Sequence, residues 1–255
     1  MKIDIAGLTD VGRVRSNNED YFFVAPEDYF LLVADGMGGH LAGEVASKLA
    51  VDIVAANLRK YLRGNLKAIF GGQPDKNLSV YSNYLVSSIR LANQVIYEKA
   101  AVSPAQKNMG TTIVAALLDI KKNIVSVANV GDSRAYLIAK DKIEQLTTDH
   151  TLVQEQQDKG LISKEQAASS PIQYILSRAL GVEPAVVVDV REINIKTGEH
   201  ILLCSDGLSR MLADEEIFRF FQSADPARTI AARLIDAANE RGGKDNITVA
   251  VLLTS

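Results

Sequence analysis

Between residues 111 and 146, four apolar runs follow one another with links too short to do anything but reverse the chain. Residues 111–118 and 124–129 flank Asp119-Ile120-Lys121-Lys122-Asn123, and residues 134–139 and 142–146 flank Lys140-Asp141. A parallel pair needs a crossover of about a dozen residues or more, so these runs can pair only as antiparallel neighbours. That argues against a doubly wound, nucleotide-binding sheet. The other strand signals are of the same kind. Residues 2–8 alternate like a half-buried strand, and residues 21–25 and 29–34 flank Pro26-Glu27-Asp28 as a hairpin. Residues 186–190, 200–204 and 247–253 also read as strands. Amphipathic spacing predicts helices over 42–63, 78–100, 214–221 and 226–241, the last opened by Pro226. A polar helix is expected at 151–157 and a capped one from Ser163. Many antiparallel strands and a few amphipathic helices in one continuous chain predict an α+β fold. Its expected core is a sandwich of two antiparallel β-sheets flanked by α-helices, in α-β-β-α layers.

Composition narrows the function classes. The 255 residues are 47% apolar and 23% charged, enough for one sizeable core, and a single domain over 1–255 is expected. A net charge of −3 leaves no electrostatic footprint for nucleic acid or an acidic membrane surface. The single cysteine, Cys204, rules out an internal disulfide framework and zinc-ribbon spacing. No apolar run approaches the ~20 residues that span a bilayer. Met1-Lys2-Ile3-Asp4-Ile5 lacks the apolar region of a signal peptide. The expectation is a cytoplasmic monomer. Residues 64–77, with Gly71-Gly72-Gln73-Pro74-Asp75, read as a surface excursion rather than a linker.

The chemistry concentrates where apolar strands stop. Phe30-Leu31-Leu32-Val33-Ala34 runs into Asp35-Gly36-Met37-Gly38-Gly39-His40, and His200-Ile201-Leu202-Leu203-Cys204 runs into Ser205-Asp206-Gly207. Asp132 follows Val130-Gly131, and Asp245 stands just before the last strand. Each aspartate alone reads as a turn or cap residue. Four of them at the ends of apolar strands would bring several carboxylates together, and close like charges stay ionised only with cations between them. Oxygen ligands without cysteine select hard ions such as Mg²⁺ or Mn²⁺ over Zn²⁺.

Six motifs then align in order. They are Thr9-Asp10-Val11-Gly12 with Arg15, Asn18-Glu19-Asp20; Ala34-Asp35-Gly36-Met37-Gly38-Gly39-His40 with Gly43-Glu44; Met109-Gly110-Thr111-Thr112; Val130-Gly131-Asp132-Ser133-Arg134-Ala135-Tyr136; Cys204-Ser205-Asp206-Gly207-Leu208; and Gly243-Lys244-Asp245-Asn246-Ile247-Thr248. The chain resembles the metal-dependent serine/threonine protein phosphatases (the PPM family, protein phosphatase 2C type) in their bacterial form. The resemblance implies two Mn²⁺ or Mg²⁺ ions per chain at one edge of the sandwich. Asp35 would bridge both ions, the Gly36 carbonyl would ligate one, and Asp206 and Asp245 would hold the other. Glu19 and Asp20 match positions that hold metal-bound waters. Asp132, with Asp206, matches a site for a third, weaker ion. The implied substrates are phosphoserine and phosphothreonine proteins made by a serine/threonine kinase, hydrolysed by an activated water without a covalent phosphoenzyme.

The remaining roles follow from the reaction. A phosphomonoester dianion repels hydroxide, and a metal pair neutralises it while lowering the pKa of bound water. Arg15 suits bidentate capture of phosphate oxygens, whereas Arg13 reads as a surface residue. His40 is placed to protonate the serine or threonine alkoxide, and His150 and His200 read as structural. Residues 149–181 match a variable flap, with Ser170-Pro171 where bacterial members often have His-Pro. Two rivals compete. Cys204 and Arg210 stand at the C-x-x-x-x-x-R spacing of cysteine-dependent phosphatases, but Asp206 would push a carboxylate into that anion cradle. The other is a phosphatase-like binding module that has lost catalysis.

Overall fold

The computed structural model describes residues 1–38, 41–64, 74–102, 106 and 108–255. Strand β3 (Phe30–Met37) shows how the layers arise. Phe30, Leu32 and Ala34 enter a core on one side, and Leu31 and Val33 enter a different core on the other. β10 (His200–Cys204) divides in the same way: Leu202 and Cys204 face one core, Ile201 and Leu203 another. Side chains alternate with a period of two, so a strand apolar at every position must be covered on both faces.

Both sheets are antiparallel throughout. One runs β1 (Ile3–Asp10), β11 (Ile247–Thr254), β10, β7 (Arg134–Ile138), β8 (Ile143–Gln145). The other runs β2 (Asp20–Ala25), β3, β5 (Ile113–Asp119), β6 (Ile124–Val130), β9 (Asp189–Asn194), with the two-residue β4 (Gly110–Thr111) also on β3. The sheets share a core that includes Leu31, Val114, Val127, Leu203 and Leu252. α1 (Leu41–Leu62) and α2 (Val80–Val102) cover the outer face of the second sheet through Val54, Leu58, Leu85 and Ile89. α6 (Asp214–Phe220) and α7 (Ala227–Glu240) cover the first through Ile217, Ile230 and Leu234. The layers are therefore helix, sheet, sheet, helix, as the strand and helix signals predict.

Two local expectations shift. The strand expected over 186–190 lies instead at Asp189–Asn194, because pairing with β6 sets its register from Asn129↔Asp189 to Ile124↔Asn194. It is the outermost strand of its sheet and carries Asp189, Arg191 and Glu192, charges that suit an edge. The valines that suggested the strand lead into it. A one-turn helix, α5 (Asp206–Ser209), follows β10 where no helix is expected. Between Thr151 and Ser169, α3 (Leu152–Asp158) and α4 (Lys164–Ala168) form as the capping signals predict, α4 with a full capping box from Ser163 and Gln166. Of the 64–77 excursion, residues 65–73 lie outside the described residues.

Antiparallel order decides where the acids meet. The end of β3 and the start of β2 lie together, with Asp20 directly opposite Asp35. The end of β10 and the start of β11 also lie together, in register at Cys204↔Val249, next to the β6–β7 turn.

Candidate functional site

Five aspartates collect at this end of the sandwich, around a cavity of about 770 Å³ that Asp35, Asp132, Asp206 and Asp245 line. Asp20 lies just behind them, 4% exposed, and Asp132 and Asp206 are each 7% exposed. Like charges facing each other across a ladder destabilise it, and here burial adds the loss of hydration. Burial, then repulsion from neighbouring aspartates, pushes Asp20 and Asp132 up to about 7. Burial pushes Asp206 to about 6 against the opposing pull of Arg210. Asp35 is driven well above the carboxylate range by burial and by the charges of Asp20 and Asp206.

Oδ1 of Asp20 and Oδ1 of Asp206 are buried without a hydrogen-bond partner. An unpaired buried carboxylate oxygen is costly, and a cation is the partner that removes the cost without adding a donor. All-oxygen donors, mutual repulsion and two orphaned oxygens fit a hard divalent ion. Among the described residues no three carboxylate, histidine or cysteine side chains are yet drawn in around one point. Several of their oxygens have protein partners. Asp245 Oδ2 accepts from Arg15 at 2.9 Å, Asp206 pairs with Arg210, and Asp20 Oδ2 accepts from Ser205 Oγ at 2.7 Å.

The residues behind the acids set their positions. Ser205 Oγ, besides donating to Asp20, accepts from Thr248 N at 3.0 Å, which ties β2 to the first sheet. Thr112 Oγ1 accepts from Asp35 N at 2.9 Å and pairs with Ser133 Oγ at 2.7 Å, joining the Asp35 strand to the Asp132 turn. Asn246 makes three bonds to the loop that carries Arg15 and Glu19. Its Nδ2 donates to Val11 O at 3.0 Å and to Asn17 O at 2.9 Å, and its Oδ1 accepts from Glu19 N at 2.8 Å. The two glycines after the paired aspartates have a packing reason. A Cβ on Gly36 would lie 2.2 Å from the Gly43 carbonyl oxygen, and one on Gly207 would lie 1.9 Å from the Asn246 carbonyl oxygen. Backbone closes on backbone at these points, and Gly36 still lines the cavity.

Arg15, Glu19 and Gly36 also line the cavity. The Arg15 side chain is 56% exposed, at the mouth. His40 lies outside the described residues. His150 and His200 have packing partners elsewhere. Gly131 N donates to His150 Nδ1 at 2.9 Å, and Thr254 N donates to His200 Nδ1 at 3.2 Å. Cys204 faces the helix-side core, fully buried, and burial pushes its thiol up to about 12. Arg210 turns to Asp206 and Asp132 rather than toward Cys204, so the C-x-x-x-x-x-R spacing forms no anion cradle. The far wall is the 149–181 segment and the turn after it, including Tyr174, Ile175, Arg178, Val182 and Val187.

Sequence reasoning gave no role to Ser205, Thr112 or Asn246, and named Arg210 only as the arginine of the C-x-x-x-x-x-R spacing. The first three stand inside the quoted motifs; Ser205 and Asn246 also adjoin an aspartate, whereas Thr112 had only its place in the motif. Arg210 had only its spacing of four residues from Asp206 on a single turn.

Comparison with known proteins adds independent findings. The Protein phosphatase 2C family model matches residues 12–244. The serine/threonine phosphatase stp of Listeria innocua is 39% identical over 247 residues, 96% of this chain and 93% of that one. The crystal structure of the Mycobacterium tuberculosis serine/threonine phosphatase PstP/Ppp aligns with a TM-score of 0.84 at 35% identity, covering 99% of each chain. The catalytic domain of PstP, solved in complex with 2 manganese ions, aligns with a TM-score of 0.79 over 98% of this chain and 97% of that one.

Proposed function

The chain belongs to the protein phosphatase 2C family of serine/threonine protein phosphatases, which act on phosphorylated proteins, and on that premise we propose which of its residues perform the hydrolysis. Metal dependence is general to this family, and Asp35, Asp206, Asp245 and the Gly36 carbonyl are the groups that would hold two Mn²⁺ or Mg²⁺ ions here. When bound, the ions supply neutralisation of the phosphate dianion and a water deprotonated near neutral pH. Glu19 and Asp20 orient water by accepting hydrogen bonds from it. Arg15 leaves Asp245 to take two phosphate oxygens, a transfer that its exposed position allows. His40 gives a proton to the departing serine or threonine oxygen. Water oxygen forms the new bond to phosphorus, the ester P–O bond breaks, and the products are inorganic phosphate and the free hydroxyl.

The observation that carries this reading is the buried aspartate cluster with orphaned oxygens on Asp20 and Asp206. Residues 149–181, as a flap over the same cavity, would select among phosphoproteins made by a serine/threonine kinase. Among the described residues no helix is long and apolar enough to cross a membrane. The test is turnover of a phosphothreonine peptide. Activity should require Mn²⁺ or Mg²⁺, stop on chelation and be lost in Asp35→Asn. Turnover that persists in chelator, or survives in Asp35→Asn, would overturn the assignment.

A further inference from the structure

The expected third-ion seat, between Asp132 and Asp206, already has a cation beside it. Arg210 Nη2 forms an ion pair with Asp206 Oδ2 and lies 3.4 Å from Asp132 Oδ2. We propose that Arg210 is a built-in counter-ion that replaces an exchangeable third metal at this pair and fastens the flap to the site through Tyr174. This rests on the reading that Asp35, Asp206 and Asp245 hold a metal pair.

The division of labour within Asp206 carries the first half. One of its oxygens, Oδ2, is taken by the guanidinium, and the other, Oδ1, is buried without a partner. Asp206 can thus give Oδ1 to an ion shared with Asp245 while Oδ2 keeps Arg210. An ion lodged between Asp132 and Asp206 would instead need the oxygens that face Arg210. A guanidinium is always charged, so it cannot withdraw by losing a proton. It can only be displaced. The position is locally determined, because Arg210 follows Asp206 by one turn and its N–H donates to the Asp206 carbonyl at 2.8 Å.

The second half comes from the face of the same guanidinium, whose Cζ lies over the Tyr174 ring at 3.8 Å from the ring centroid. Tyr174 belongs to the 149–181 segment and is 53% exposed. The backbone on either side is held by Leu152 N to Ile175 O and Ser177 N to His150 O, both at 2.9 Å, so the stack fixes where the Tyr174 side chain itself lies. Asp132, Tyr174, Asp206 and Arg210 also line a second cavity, of about 590 Å³, behind the flap. The Arg210–Tyr174 stack is therefore part of the wall between this space and the catalytic cavity. A cation that displaced Arg210 would release Tyr174 and open one space to the other.

The test counts ions and follows the flap separately. Mn²⁺ binding is measured by equilibrium dialysis, with free Mn²⁺ read by its paramagnetic resonance. The unaltered protein should bind two ions per chain, and Asp132→Asn should still bind two. Arg210→Ala should gain one weaker ion, and Arg210→Ala combined with Asp132→Asn should lose it again. Arg210→Lys, which keeps a charge, should stay at two. If Arg210→Ala does not fold, Arg210→Gln keeps most of the stem without the charge and carries the same test. For the flap, the chain has no tryptophan, so Tyr174→Trp supplies a sole indole. Its emission should shift to the red when Arg210 is also replaced. Unchanged stoichiometry in both Arg210→Ala and Arg210→Gln overturns the proposal, as does an Asp132-dependent third ion in the unaltered protein. Loss of all binding sites in the unaltered protein would instead overturn the metal-pair reading beneath it.

Discussion

A phosphoserine ester and an aryl phosphate ask different things of a proton donor, and that difference isolates His40. An alkoxide needs a proton as it leaves, whereas a nitrophenolate does not. His40→Ala should lower kcat on a phosphoserine peptide by about 10²-fold or more and change aryl phosphate turnover far less. Equal losses on the two substrates would remove His40 from the acid role. Cys204 gives the opposite expectation. A thiol pushed up to about 12 and packed among Leu202, Leu208 and Val249 is no nucleophile at neutral pH. Cys204→Ala should keep its kcat while the melting temperature falls, and a collapse of kcat with unchanged stability would revive the cysteine mechanism. Ser205 acts one step further back. Ser205→Ala removes the donor to Asp20 Oδ2 and should weaken Mn²⁺ affinity about 10-fold, as loss of a supporting hydrogen bond around a metal site commonly does. Calorimetric titration checks it, and an unchanged affinity would leave Ser205 as a packing residue.

At the level of elements, the acids were legible because each is announced locally. An apolar run that stops in Asp-Gly says where a strand ends, and antiparallel pairing makes ends coincide with starts, so Asp35, Asp206 and Asp245 could be placed from sequence. What the elements do to one another was not announced. The valines of 186–188 look more strand-like than Arg191-Glu192, yet the register of β6 puts the polar run in the sheet. Such a register depends on partners 60 to 70 positions away in the chain, beyond any local pattern. Asn246 is a similar case. It looks like a turn residue beside Asp245, but it serves as a clamp on the segment from Val11 to Glu19. Asn246→Ala leaves two carbonyls and one N–H of that segment without these partners, a loss of ~1–3 kcal/mol if they are not rehydrated. Amide exchange between residues 11 and 19 should accelerate and KM for the phosphopeptide should rise. Unaltered exchange there would mean that the loop is held by its other contacts.

On the scale of the whole molecule, a net charge of −3 conceals an uneven distribution, with five aspartates gathered at one end of the sandwich. This has a sign that can be worked out. Asp20 and Asp132 at about 7, Asp206 at about 6 and the strongly raised Asp35 all lie above the ordinary ~3.9 of an unfolded aspartate. The native state therefore binds more protons than the unfolded chain between about pH 4 and pH 7, and stability contributed by these groups falls as pH rises through that window. A divalent cation replaces those protons, so its stabilising effect should grow over the same range. Melting temperatures in chelator should drop from pH 5 to pH 8, and the gap between chelated and Mn²⁺-loaded protein should widen. Asp35→Asn separates this from general charge effects. It removes a buried carboxylate that faces the charges of Asp20 and Asp206, so in chelator at pH 8 it should melt higher than the unaltered protein while gaining little from Mn²⁺. A lower melting temperature for Asp35→Asn in chelator would mean that the carboxylate stabilises the fold by itself. The cluster would then be a structural network rather than a site strained to receive cations.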